Sequence, residues 1–127
     1  MKILINLIGL ALIIGGCATT KKDVQVPFSE FQKNDKLVSL VSDCRADDVE
    51  SCQEAADFLY KNGYYKEAAL SYDDTCRFYQ YIPACLKLAK MFEKGIGVTK
   101  SKINAQDIYR RACYMGDKPS CSKFDHE

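Results

Sequence analysis

Seven cysteines in a chain of 127 residues constrain this fold more than any other feature. Cys17 stands alone near the N-terminus. Cys44, Cys52, Cys76, Cys85, Cys113 and Cys121 then follow with gaps of 8, 24, 9, 28 and 8 residues. The short gaps mark off three local pairs, Cys44/Cys52, Cys76/Cys85 and Cys113/Cys121. In so small a chain this density reads as a disulfide framework wherever the compartment is oxidising. Zinc sites prefer closer cysteine spacing, two to four residues between ligands, and no such pair occurs. Local bridging requires each pair to join two antiparallel elements, so periodicity and compartment decide the reading.

The periodicity is helical and is phased on the cysteines. After Cys52, apolar residues fall at Ala55, Ala56, Leu59 and Tyr60; after Cys85 they fall at Leu88, Ala89 and Phe92. Spacings of three, four and seven residues place them on one helix face. Small residues (Ser51, Ala84, Ser120) precede the second cysteine of each pair. Pro83 and Pro119 precede two of these, where a first helical turn tolerates proline. The first cysteine of each pair closes a helix instead. Leu40, Tyr72 and Tyr109 lie four residues before Cys44, Cys76 and Cys113. Each bridge is therefore expected to join the end of one helix to the start of the next. Across a short connection the Cα atoms can reach the roughly 5.5–6 Å that a disulfide wants.

The N-terminus supplies the compartment. Met1-Lys2 leads an apolar run from Ile3 to Ile14, broken by Asn6 and Gly9, and Gly15-Gly16-Cys17 follows. The run is short of the roughly 20 residues a membrane span needs and has the form of a signal peptide. It resembles bacterial lipoprotein signals, whose lipobox ends in two small residues and a cysteine. Ile14 stands where leucine is commonest. The resemblance implies cleavage before Cys17, diacylglycerol on its thiol and acylation of the new N-terminus. Several acyl chains supply the multiple signals that stable anchoring requires. An ordinary secretory signal is the alternative reading. Ala18, in place of the aspartate associated with inner-membrane retention, favours the outer membrane. The expected layout is a signal peptide over 1–16, a lipidated N-terminus and tether over 17–35, and a folded domain over 36–127. Phe28 and Phe31 are expected to pack on the first helix.

The cysteines also carry a repeat. Cys52 to Cys85 spans 33 residues, Cys76 to Cys113 spans 37 and Cys85 to Cys121 spans 36. Periods of this size mean stacked helical hairpins. The first unit runs over about 51–83 and turns at Asn62-Gly63. The second runs over about 84–119 and turns across Gly95-Ile96-Gly97-Val98-Thr99-Lys100. Leu37, Leu40, Val41 and Cys44 form the stripe of a short leading helix, and residues 120–125 form a capping stub. The segment from Ala84 to Cys121 resembles a Sel1-like repeat, and more narrowly the cysteine-rich Sel1 proteins of Helicobacter. Those proteins bridge the second helix of one repeat to the first helix of the next with seven residues between the cysteines. Cys44/Cys52 and Cys113/Cys121 match that spacing, Cys76/Cys85 has one extra residue, and Gly95, Gly97 and Val98 match the family's G-x-G-V turn. The resemblance covers about 37–124 and implies an all-α fold, a short α-solenoid of two Sel1/TPR-like hairpins stapled by disulfides.

Few residues offer chemistry. A net charge of +1 gives no footprint for nucleic acid, and the single histidine, His126, cannot build a His-rich metal site. No cofactor or metal is expected. Gly95 and Gly97 lack the preceding strand and third glycine of a phosphate loop. In Asp47-Asp48 and Asp73-Asp74, adjacent carboxylates diverge on a helix and suit capping or solvation. Ser120-Cys121-Ser122-Lys123 has the form S-x-x-K, without the S-D-N or K-T-G partners of a serine β-lactamase. Tyr72 and Tyr109 lie on inward stripes, while Tyr60, Tyr64, Tyr65, Tyr79, Tyr81 and Tyr114 stand near helix ends, where they can pack or meet a partner. The expected function is non-catalytic. The protein is read as an envelope lipoprotein facing the periplasm, bound to membrane lipid through Cys17 and to an envelope protein or peptide through its repeats. The alternative, implied by the resemblance alone, is binding of penicillin or peptidoglycan fragments with weak β-lactamase activity.

Overall fold

The computed structural model describes residues 26–125. The expected signal peptide and the lipidation site Cys17 lie outside the described residues. Within them the chain forms six α-helices and one 3-10 turn, with no strand. The helices are α1 (Phe28–Phe31), α2 (Asp35–Arg45), α3 (Val49–Lys61), α4 (Tyr65–Tyr79), α5 (Ile82–Lys94) and α6 (Lys102–Tyr114), and the 3-10 turn is Lys118–Ser122. Close backbone packing links each element from α2 onward to its neighbour in the chain. That nearest-neighbour pattern defines a solenoid. α3 with α4 and α5 with α6 make the two hairpins.

Local chemistry starts and stops each helix. The Asn34 side chain accepts from the amides of Lys36 and Leu37 at 3.1 and 3.3 Å, opening α2. Asp48 opens α3 by accepting from the Ser51 amide and hydroxyl at 3.4 and 2.8 Å. Ser101 opens α6 by accepting from the Asn104 amide at 3.1 Å. Such caps satisfy amides that the first helical turn leaves without a carbonyl. Gly95 ends α5 in the left-handed region, with φ of 68°, a conformation that glycine adopts without steric cost.

The disulfides close every connection outside the hairpin turns, from α2 onward. Cys44–Cys52 joins α2 to α3, Cys76–Cys85 joins α4 to α5, and Cys113–Cys121 joins α6 to the 3-10 turn. Their Cα separations are 4.6, 4.8 and 4.8 Å. The two hairpins are built to one plan around them. Cys52 and Cys85 each stand at the fourth residue of their helix, and Cys76 and Cys113 at the twelfth. The periods of 33 and 37 residues differ because the turns differ. Asn62–Tyr64 connects the first hairpin, whereas Gly95–Ser101 connects the second.

The longer turn also packs between repeats. A Cβ placed on Gly97 would lie 2.3 Å from the backbone oxygen of Tyr65, at the start of α4. Gly97 is therefore needed twice over, for its φ of 70° and for this close approach. Gly95 is less crowded, since its added Cβ would meet Lys100 at 3.1 Å.

Both ends of the stack are covered. The stretch expected to be tether up to residue 35 holds helix α1. Phe31 stacks on Tyr64 at 4.3 Å and on Phe58 at 5.5 Å, and Phe28 meets Tyr64 at 5.4 Å. These rings settle on the turn end of the first hairpin. The apolar surface to be covered lies there, and the Tyr64 hydroxyl donates to the Val26 carbonyl. At the other end the expected stub begins earlier, with the 3-10 turn at Lys118. Asp117 accepts from the Ser120 amide and hydroxyl. Phe124 is buried, and the Arg110 guanidinium lies 5.1 Å from its ring centroid.

The core is small-residue and aromatic. Ala56, Ala68, Ala84, Ala89 and Ala112 are fully buried and let the helices approach closely. Tyr72 and Tyr109 occupy matching places on α4 and α6 and fill the larger spaces. Tyr72 donates to the Asp57 carboxylate of α3. Burial raises the Tyr72 pKa first, and the hydrogen bond to Asp57 raises it further. Burial pushes Tyr109 up to about 12, helped by the Glu93 carboxylate.

Two outcomes test this packing. Gly97→Ala is expected to lower stability by at least about 2 kcal/mol, combining left-handed strain with a backbone clash. Gly95→Ala is expected to cost less, about 1 kcal/mol. Urea midpoints of the oxidised proteins measure both. The second outcome is alkaline destabilisation. Unfolded tyrosine ionises near pH 10, while the folded state keeps the Tyr109 proton until pH is about 12. This contribution is whole below about pH 10 and is lost as pH rises through the folded value. Tyr109→Phe should flatten the fall in urea midpoint over that window, and an unchanged slope would show that the buried tyrosine does not govern it.

Candidate groove between the hairpins

α4 and α6 each pack on α5 and not closely on each other. A groove of about 400 Å³ opens over the three helices. Leu88 and Phe92 of α5 form its floor. Ala69, Leu70, Asp73 and Arg77 of α4 line one side, and Asn104, Asp107, Ile108 and Arg111 of α6 line the other. Gly97 and Val98 of the long turn, with Lys66, close the end nearest the helix starts. At the opposite end the groove meets a more open depression lined by Arg77, Gln80, Arg111, Tyr114 and Met115. Arg77 and Arg111 belong to both cavities and mark the waist between them.

The groove has an apolar floor and a charged rim, and its charges are unevenly satisfied. Arg77 Nε donates to Asp73 at 2.8 Å. Arg110 binds Asp107 at 2.6 Å. Leu70 is 60% exposed although it is a large apolar residue, and Tyr114 is 79% exposed at the far end. Concave sites with an apolar base and a few convergent polar groups are the usual form of binding sites.

The residues singled out in the sequence take other places. The six bridged cysteines lie within the elements and join each to the next, and Gly63, Gly95 and Gly97 sit in the two hairpin turns. Asp48 caps α3, and Asp47 accepts from the Tyr79 hydroxyl at 3.2 Å. Asp73 pairs with Arg77. Tyr60 and Tyr65 meet edge to face at 5.0 Å, and Tyr64 is buried under Phe31. Of the tyrosines near helix ends, Tyr114 alone reaches the groove region.

Ser120 of the S-x-x-K segment is buried, and its hydroxyl donates to Asp117. The Lys123 ammonium lies over the Tyr109 ring, 5.5 Å from its centroid. Asp117 is the cap of the 3-10 turn, and the amide and hydroxyl of Ser120 both donate to its carboxylate. Among the described residues no group of three or more His, Cys, Asp or Glu side chains is placed to hold a metal.

Arg77, Arg111, Leu88 and Phe92 were not marked by motif. The sequence carries one signal for the groove: Leu70 stands off the buried stripe of α4, which runs through Ala68, Ala69, Tyr72, Thr75 and Cys76.

No protein-family model matches the chain, and no curated protein matches it by sequence. A solved structure does: Helicobacter pylori cysteine rich protein B superposes with a TM-score of 0.60 at 22% identity, over 84% of this chain and 79% of that one. The chain thus has the fold of a cysteine-rich, Sel1-like helical solenoid.

Proposed function

We propose that the protein is an envelope lipoprotein that serves as a non-catalytic adaptor, holding a protein or peptide in the groove over α4, α5 and α6. The observation that carries this reading is the groove itself, with apolar Leu88 and Phe92 beneath a charged rim. Repeat proteins use such inter-helix surfaces for partners, because a rigid stack presents a large area at low entropic cost. In this reading acylated Cys17 holds the domain at the outer membrane, on its periplasmic side. Eight residues lie between Cys17 and Val26, a reach of at most about 30 Å. The partner is then bound close to the lipid surface. The fold shared with the Helicobacter protein fits this role and by itself names no partner.

Hydrolysis of β-lactams finds no support in the placement of Ser120. Ser120→Ala is expected to remove the hydroxyl bond to Asp117, keep the backbone amide cap and destabilise the protein by about 1 kcal/mol. It is not expected to abolish any turnover of a chromogenic cephalosporin, and loss of a measured turnover would favour the enzyme reading. The adaptor reading is tested in cells. A photo-cross-linking residue at Leu70 should yield a discrete adduct that the same residue at Lys90, on another face, does not. Equal labelling from both positions would sink the groove as the binding face. Cys17→Ser should move the protein from the membrane to the soluble fraction, and retention in the membrane would remove the anchor.

A further inference from the structure

We infer that the groove takes an acidic peptide segment of another protein, seating an apolar side chain on Leu88 and Phe92 and a carboxylate at the waist formed by Arg77 and Arg111. The inference rests on the adaptor reading and supplies its partner chemistry.

Charge complementarity carries it. Two acids line the groove, and each has a cation of its own: Asp73 is held by Arg77 Nε and Asp107 by Arg110. Arg111 and Lys66 line the same groove, and neither forms an ion pair with the acids. A guanidinium carries five N–H donors in a planar fork. Arg77 spends its Nε on Asp73, so its terminal nitrogens are left for a ligand. The depression beyond the waist contains both arginines and no acid. An incoming carboxylate therefore meets two guanidinium groups, the donor geometry best matched to it.

Last-turn arginines also complement the helix dipole wherever they face. Their shared position on the two cavities is the additional fact, because it puts both charges beside the apolar floor. A basic segment would meet Lys66, Arg77 and Arg111 together and be repelled. A neutral segment would cover these cations without pairing them, at a desolvation cost.

The test uses the full-length oxidised protein in detergent, panned against a random peptide display library. Enriched peptides are then synthesised and their affinities measured by fluorescence polarisation. The expected result is enrichment of Asp or Glu within a few residues of a large apolar side chain. Arg111→Gln should weaken these peptides about tenfold, the loss expected for a hydrogen bond to a charged group. Arg111→Glu should weaken them further, and affinity should fall as salt is raised. Arg111 is exposed, so both variants should stay folded, with the unfolding midpoint, measured alongside, lowered only by the lost helix-dipole contribution. Lys87→Gln and Lys90→Gln, outside the groove, should leave affinity unchanged. Enrichment of neutral or basic peptides overturns the inference, as does no enrichment or acidic binders indifferent to Arg111→Gln. Acidic binders that respond to Lys90→Gln instead also overturn it. The adaptor reading is judged separately, by the Leu70 adduct in cells.

Discussion

The rest of the structure depends on covalent closure of the connections around the hairpins. A solenoid buries apolar area only between neighbours in the chain, and two hairpins supply few such interfaces. Here alanine is the commonest core residue, and it packs closely but contributes little area per residue. The disulfides compensate by restricting the unfolded chain, by about 2–4 kcal/mol each in typical cases. They also act as alignment points in the native state. Because each cysteine occupies the same helical position in both hairpins, the helices keep one phase while the turns vary in length.

The ends of a short stack matter as much as its middle. An uncovered terminal repeat would expose the apolar face that the next repeat normally covers. This chain covers its ends with unlike devices. At the N-terminal side, a single helical turn places Phe28 and Phe31 against Tyr64 and Phe58. At the C-terminal side, the last disulfide pins a 3-10 turn on α6, and Phe124 folds back beneath Arg110. Asp48–Ser51 and Asp117–Ser120 are the same capping device used at both outer bridges. The central connection uses Pro83 after Tyr81 in their place.

These features differ in how far the sequence discloses them. Helix phase was legible, because Ala55, Ala56 and Leu59 follow Cys52 as Leu88, Ala89 and Phe92 follow Cys85, and a 3.6-residue period leaves one buried face. The glycine turns were legible because left-handed backbone selects for glycine. The role of Gly97 was only half legible: its conformation could be read, but its contact with Tyr65 joins residues distant in the chain. The helix over Phe28–Phe31 escaped a periodicity argument, since one helical turn is too short to show a period. The groove escaped it as well. It is defined by what α4 and α6 leave open over α5, and no local pattern encodes an opening.

That opening follows from the same constraint that holds the stack together. Cys76–Cys85 fixes the end of α4 on the start of α5, and the Gly97 turn fixes the start of α4 against the second hairpin. Both ends of α4 are thus held, one covalently and one by backbone contact. The separation of α4 from α6 is set before any partner arrives. A peptide entering such a groove does not have to order its walls, so less binding free energy is lost to conformational entropy. The argument extends to redox state. Reduction of Cys76–Cys85 would release one of the two fixings and leave the glycine contact. Affinity for a groove ligand should then fall more than affinity at any site confined to a single hairpin, since the helices within a hairpin keep their own packed interface.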